Sequence, residues 1–213
     1  MLCLGTRSML MRVFKKAERS INPKVFLRRE GELRVPKSAW WPSEHRFEIE
    51  EMQPPTSAIG IGSAKKARSQ YWKILNNIAM YSLYVEDEGM REIHWHPDTV
   101  EMGYIHKGRA RMTIMDPNGS IDTFTLASGD VYFIPASYPH HIEVLDEKIH
   151  FLIFFDQPMP KDVGFRLAGA VWDREVLAAA FGLGKTDLPE LPFEVEDPLL
   201  VAKKNPLDRV SKL

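Results

Sequence analysis

The chain of 213 residues contains one cysteine, Cys3, so it cannot form a disulfide bond within itself. Disulfide frameworks belong mainly to oxidising compartments, and this composition shows no adaptation to one. Arg7 and Arg12 interrupt the mildly apolar N-terminal stretch, which has no apolar run of signal-peptide length. No stretch approaches the roughly 20 apolar residues that span a bilayer. We therefore expect a cytoplasmic protein with no membrane partner.

An excess of either charge is also absent, because 28 lysines and arginines stand against 29 aspartates and glutamates. Nucleic acids and anionic membrane surfaces select basic patches, so we expect neither as a partner. Internal repeats are absent as well. The hydrophobic share of 44% and the aromatic share of 10% are those of an ordinary globular protein. A chain of this length can build one good core with appendages.

Residues 1–70 are punctuated by proline, which favours short extended pieces over long helices. We interpret this stretch as an N-terminal arm that packs on the main domain or on a partner subunit. Residues 60–66 resemble a fragment of a phosphate loop, but they lack its strand-to-helix context, so we interpret them as a flexible turn. The prolines are Pro23, Pro36, Pro42, Pro54 and Pro55.

Residues 71–160 carry short runs of β-type residues with turn signals between them. The sequence Asp-Pro-Asn-Gly at 116–119 predicts a tight turn, and the alternating run after it predicts the returning strand of a hairpin. Short strands at this spacing indicate an all-β sandwich or barrel. The predicted strands are 78–85, 102–105, 110–115, 121–126, 131–134 and 149–155.

Residues 161–213 change character towards helix and then towards an extended tail. The stretch 173–181 is rich in helix-forming residues, with Asp173 placed to cap it. Gly182 and Gly184 end this helix. Prolines in the remaining residues predict an extended C-terminal tail.

Three histidines and one glutamate form a candidate metal site: His94, His96, Glu101 and His140. Side chains alternate along a strand, so His94 and His96 point to the same face. Imidazole and carboxylate together suit manganese, iron, cobalt, nickel or zinc. Isolated strand histidines are usually unrelated polar residues, but the glycines and prolines around these four argue against that alternative.

The two blocks that carry these residues resemble the signature of the cupin superfamily. The first block, His-x-His-x4-Glu-x6-Gly, ends at Gly108, and the second runs from Gly129 to His140. Glu88 and Ser137 stand where the family usually has turn glycines, and neither change removes a ligand. The resemblance implies a double-stranded β-helix, a jelly-roll barrel with a metal inside.

Residues 77–183 are more narrowly similar to the cupin repeats of oxalate decarboxylases. This resemblance implies that His94, His96, Glu101 and His140 bind manganese, and that Arg91 holds a substrate carboxylate. Strict alternation would put Arg91 and His94 on opposite faces, so Arg91 reaches the pocket only if a bulge or turn intervenes. The alternative is a surface arginine beside Glu92.

Decarboxylation also needs a proton source, and here the resemblance is partial. One family glutamate has Ile153 as its counterpart in this chain, and isoleucine cannot transfer a proton. Asp162 falls near the family's other glutamate, on the loop after the last predicted strand. It is a candidate general acid or base, or else a solvated loop residue or a helix cap. Tyr132 fits either cavity lining or barrel packing.

Three functions are compatible with these residues. The first is a metal-dependent enzyme of oxalate decarboxylase type that acts on a small carboxylate, with manganese as the metal. The second is an iron-dependent cupin dioxygenase, and the third is a cupin that binds a metal or a small ligand without catalysis. A single barrel exposes sheet edges, so we expect a homodimer in which the arm of residues 1–70 takes part.

Overall fold

The computed structural model describes residues 44–51, 56–58, 60–145, 147–193 and 199–202. The chain divides into two units, Met1–Pro54 and Pro55–Leu213. In the first unit, the described residues contain a short 3-10 helix, Ile49–Glu51. The second unit contains the candidate site. Residues 1–43 lie outside the described part, so the predicted arm stays a prediction there.

Two sheets, all of whose strand pairs are antiparallel, make up the described part of the second unit. Their strand orders are β1-β2-β3-β10-β5-β8 and β11-β4-β9-β6-β7, with β12 beside β4. The strands are β1 Thr56–Ala58, β2 Gly62–Ala67, β3 Ala79–Val85, β4 Gly89–Trp95, β5 Glu101–Lys107, β6 Arg109–Met115, β7 Ile121–Ala127, β8 Val131–Ile134, β9 His140–Val144, β10 Ile149–Phe155, β11 Val163–Gly164 and β12 Leu200–Ala202.

The core lies between the sheets, because one cluster of buried side chains draws on both. Strand β10 shows why these residues form strands. Its burial alternates strictly, and Ile149, Phe151, Ile153 and Phe155 point inward. A fully buried side chain such as Phe151 contributes roughly 1.5–3 kcal/mol relative to exposure. This arrangement confirms the expected all-β, jelly-roll fold.

The six strands predicted from the sequence coincide with β3, β5, β6, β7, β8 and β10. The predicted turn between β6 and β7 is present, with Gly119 at φ +82°. The Asp116 carboxylate accepts hydrogen bonds from the backbone N–H groups of Asn118 and Ser120, at 2.8 and 3.0 Å. The turn therefore sets the register of the hairpin, as expected.

Residues 60–66 differ from the expectation of a flexible turn. Gly60 and Ile61 form a turn, but Gly62–Ala67 is strand β2, which pairs with β3 along its whole length. Ala64 and Ala67 are both buried, but only Ala64 belongs to the core cluster, and so small an inward side chain did not make the strand evident in the sequence pattern. The sheet therefore begins well before residue 70.

Two short helices follow β11 in the described part: α1, Phe165–Ala170, and α2, Arg174–Ala180. Helix α2 confirms the predicted C-terminal helix. Asp173 stands at its N-cap position, but its side chain makes no capping hydrogen bond. Among the described residues, neither helix has the length and apolar character needed to span a bilayer.

Candidate metal centre

The four predicted ligands meet inside the barrel. His94 at the end of β4 and His140 at the start of β9 are paired across the two strands, and Glu101 begins β5. His96 directly follows β4. All four side chains are buried, and one potential ligand atom of each lies within 4.8 Å of those of the others. The group could therefore hold one metal ion.

Each imidazole is oriented by a backbone carbonyl behind it. The Nδ1 atoms of His94, His140 and His96 lie 2.7, 2.8 and 2.9 Å from the carbonyl oxygens of Glu92, Tyr138 and Lys161. These partners assign the proton to Nδ1. The Nε2 atoms are then left for the interior, which is the usual way in which surroundings prepare histidine to bind a metal.

The donor atoms fit a cation. The Nε2 atom of His140 is buried with no hydrogen-bond partner in the described part of the chain, and such a group is costly unless something pairs with it. Glu101 Oε2 lies 2.8 Å from Nε2 of His96 and 3.5 Å from Nε2 of His140. Burial raises the pKa of Glu101, but His140 and His96 outweigh this effect and hold it below its usual range.

The histidines differ in protonation. Burial, with Arg91 nearby, lowers the pKa of His94 well below its usual value, so this ring is neutral and ready to act as a ligand. Burial also lowers the pKa of His96, but the carboxylates of Asp162 and Glu101 outweigh it and raise the pKa to about 10. Without metal, His96 is therefore charged at neutral pH.

Arg91 is buried beside the site, and a bulge puts it there. The β4–β9 register shifts between Arg91 and His94, which breaks strict alternation as the sequence argument required. The Arg91 side chain is 3% exposed, and its Nη1 donates to the carbonyl of Leu199 at 2.8 Å. The alternative of a surface arginine is therefore wrong.

Asp162 pairs with Arg91 on the outer edge of the His96 ring. Its Oδ2 lies 3.3 Å from Arg91 Nη2, and its Oδ1 lies 2.8 Å from His96 Nδ1. Burial raises the pKa of this carboxyl, but Arg91 and His96 outweigh it and hold the pKa at about 2. The side chain is 13% exposed, and the N-cap of α1 is Gly164. Asp162 is therefore neither a solvated loop residue nor a helix cap.

The carboxylate of Asp162 faces the Nδ1 edge of His96, whereas Glu101 faces the Nε2 edge. The four-ligand group itself contains one carboxylate, Glu101. Phe155 supplies an apolar wall, since its ring lies 5.0 Å from the His96 ring, and Ile153 is buried in the core. The proton-donating position that the family resemblance suggests at Ile153 is therefore apolar here.

Tyr132 is a site residue whose role the sequence left open. Its hydroxyl donates to Glu101 Oε1 at 2.8 Å. The signal that could have revealed it is Gly103, since glycine within a strand often marks a close approach. Tyr132 pairs with Gly103 across β5 and β8.

The fold and this donor group define a class of protein: a β-barrel with a buried histidine–carboxylate centre. The Cupin family model matches residues 48–188, about two thirds of the chain. The chain belongs to the cupin family.

Within that family the chain is similar to oxalate decarboxylases. The oxalate decarboxylase of Bacillus subtilis (strain 168) is 32% identical to this chain over 134 residues, which is 62% of this chain and 34% of the relative. A probable oxalate decarboxylase of Arthroderma benhamiae is 30% identical over 143 residues, or 66% of this chain and 35% of the relative. The chain thus spans about a third of the length of these relatives.

Solved structures agree with the sequence comparison. A structure of the Bacillus subtilis oxalate decarboxylase, studied for its Mn(II) centres, has a TM-score of 0.67 and 32% identity. The match covers 74% of this chain and 41% of that one. The similarity to these proteins therefore extends from the motif to the fold around it.

Proposed function

We propose that this protein is a metal-dependent cupin that acts on a small carboxylate by a reaction of oxalate decarboxylase type. The reaction is the cleavage of the C–C bond of oxalate to formate and carbon dioxide. The observation that carries this proposal is the buried Arg91–Asp162 pair beside the four-ligand group. It combines a metal site with a cation suited to a carboxylate and with a titratable group.

In this proposal His94, His96, Glu101 and His140 hold the metal, and manganese is favoured by the similarity to a relative with Mn(II) centres. Iron, nickel, cobalt and zinc suit the same donors. A bound divalent ion would supply Lewis acidity and a template for the substrate.

Arg91 would bind the substrate carboxylate. A guanidinium group can donate two parallel hydrogen bonds to a carboxylate, and Asp162 already shows that Arg91 accepts a carboxylate partner. The surroundings favour the entry of an anion, since Asp162 lines a cleft of about 310 Å³ together with Lys66, Arg68 and Lys161. A small dianion such as oxalate matches this cationic lining.

Asp162 would then hold the proton that the reaction needs. Burial alone raises its pKa, and Arg91 is the largest opposing influence. A substrate carboxylate on Arg91 would cancel much of that influence, so Asp162 would take up a proton more readily. Formate carries a C–H bond, and a proton must therefore reach carbon when the C–C bond breaks.

Two observations support other cupin functions. Ile153 stands where the family resemblance suggests a glutamate, and Asp162 lies on the Nδ1 edge of His96. These two facts favour either an iron-dependent dioxygenase or a cupin that binds a metal or small ligand without catalysis. Ferrous dependence with stoichiometric oxygen consumption would support the dioxygenase.

Elemental analysis of the purified protein, followed by incubation with oxalate, tests the proposal. We expect manganese in the protein, formate and carbon dioxide as products, and loss of both metal and activity in His140→Ala. Turnover that survives His140→Ala would contradict a metal-dependent reaction. Manganese without turnover would support the binding function instead.

We also propose that the protein acts as a homodimer. Its cytoplasmic location and its lack of a nucleic-acid partner are predictions that rest on composition alone.

A further inference from the structure

Glu101 has two oxygens, and they have different partners. Oε2 lies 2.8 Å from Nε2 of His96, on the side where the imidazoles converge. Oε1 accepts a hydrogen bond from the Tyr132 hydroxyl at 2.8 Å. Both side chains are buried, with Glu101 3% and Tyr132 5% exposed. A hydrogen bond to an ionised carboxylate is roughly twice as strong as one between neutral groups.

The backbone dictates the position of the Tyr132 ring. Glu101 and Gly103 lie two residues apart on the inward face of β5, and Gly103 pairs with Tyr132 of β8. A Cβ atom at Gly103 would lie 2.1 Å from the ring, so the ring occupies space that only glycine leaves open. The ring therefore lies across β5 with its hydroxyl directed at the carboxylate one inward position away.

We propose that Tyr132 is a positioning residue that holds Glu101 as a single-oxygen metal ligand through Oε2. The inference rests on the metal site of the proposed function. A free carboxylate can bind an ion through one oxygen or both, and a second oxygen would occupy a position that substrate or water needs. By engaging Oε1, the tyrosine hydroxyl keeps that position open.

Tyr132→Phe separates this role from simple packing, because it removes the hydroxyl and keeps the ring. The matched control is Tyr104→Phe, on the same strand as Glu101 but with a side chain that is 37% exposed. Each protein is loaded with Mn(II), and water-proton relaxivity reports how many exchangeable waters the ion carries. The Mn(II) electron paramagnetic resonance spectrum reports its symmetry, and thermal unfolding of the metal-free proteins reports folding.

We expect the relaxivity of Tyr132→Phe to fall by the contribution of one water and its resonance spectrum to change, while Tyr104→Phe matches the wild type. Relaxivity and spectrum equal to those of the wild type would overturn the role of Tyr132 and leave the proposed function standing. An equal change in Tyr104→Phe would also overturn it. A wild-type protein that binds no Mn(II) would overturn the proposed function and this inference together.

Discussion

At the residue scale, the centre is prepared by groups that lie behind the ligands. Three backbone carbonyls orient the imidazoles, and Asp162 and Glu101 flank His96 on opposite edges. Burial alone would lower the pKa of His96 and leave the ring neutral, but the two carboxylates raise the pKa and keep the ring charged. In the metal-free centre, the His96 ring therefore carries a proton that it must lose before it can bind a metal.

Metal binding should release this proton and should strengthen as pH rises. The pKa of His96 is about 10 without metal, so the ring is protonated at neutral pH, whereas a ligand must offer its lone pair. If one proton is released for each metal ion bound, the affinity for the metal rises about tenfold per pH unit. Calorimetric titration with Mn(II) in buffers of different ionisation enthalpy measures the release.

Asp162→Asn is the control for that titration. It removes one of the two carboxylates that raise the pKa of His96, so the variant should release less of a proton at neutral pH. An affinity that does not vary with pH in the wild-type protein would contradict the stored proton.

Arg91→Gln should destabilise the protein most at neutral pH. It would leave Asp162, which is 13% exposed, charged without its guanidinium partner, while His96 still contacts Oδ1. We therefore expect a loss below the roughly 3–5 kcal/mol that breaking a fully buried pair costs. Asp162 has a depressed pKa of about 2, so it stabilises the wild-type fold above the unfolded pKa of about 3.9. That contribution is lost as pH falls through the folded value.

Without Arg91, the largest influence that lowers its pKa, the Asp162 carboxyl protonates at a higher pH than in the wild type. The difference in stability should therefore shrink as pH falls from about 4 towards the wild-type value of about 2. Urea unfolding at neutral and acidic pH measures this. Asp162→Asn is the matched variant, since it leaves the Arg91 guanidinium, which is 3% exposed, without its carboxylate. A loss of stability in Arg91→Gln that does not vary with pH would indicate that Arg91 stabilises the fold through packing alone.

At the element scale, alternation is clearest in strands with one buried face, as in β8 and in β10 with Ile149 to Phe155. The same rule could not locate Arg91, since the β4 bulge is a property of pairing with β9 rather than of the local sequence. Strand β2 was missed because its residue in the core cluster, Ala64, is small. The four ligands could be predicted from spacing, whereas Tyr132 depended on cross-strand register.

Gly103→Ala tests the contact between β5 and β8. The added methyl group would collide with the Tyr132 ring, so we expect a loss of about 1–3 kcal/mol in the free energy of unfolding. If the ring is the cause, the same substitution in a Tyr132→Ala background should cost much less. Urea unfolding measures the loss of stability in both backgrounds. An equal loss in both would show that the Tyr132 ring is not the cause.

At the scale of the whole molecule, the outer face of β5 and β8 is notably apolar. Met102 pairs with Phe133, and Tyr104 pairs with Val131, across the two strands. All four side chains are exposed, Phe133 by 57%. Contiguous exposed apolar surface of this kind marks interaction sites. Strand β8 also ends its sheet in the described part of the chain, which leaves an edge that needs protection.

A second copy of the chain is the occupant we predict for this face, because a net charge of −1 opposes self-association only weakly. Light scattering should give the mass of a dimer, and Phe133→Asp should shift it towards the monomer by burying a charge in the interface. Phe181→Asp is the matched control, since Phe181 is similarly exposed, by 62%, but belongs to the turn after α2. A wild-type protein that stays monomeric at all concentrations would contradict the prediction. If Phe133→Asp remains a dimer, the interface lies on another face of the protein.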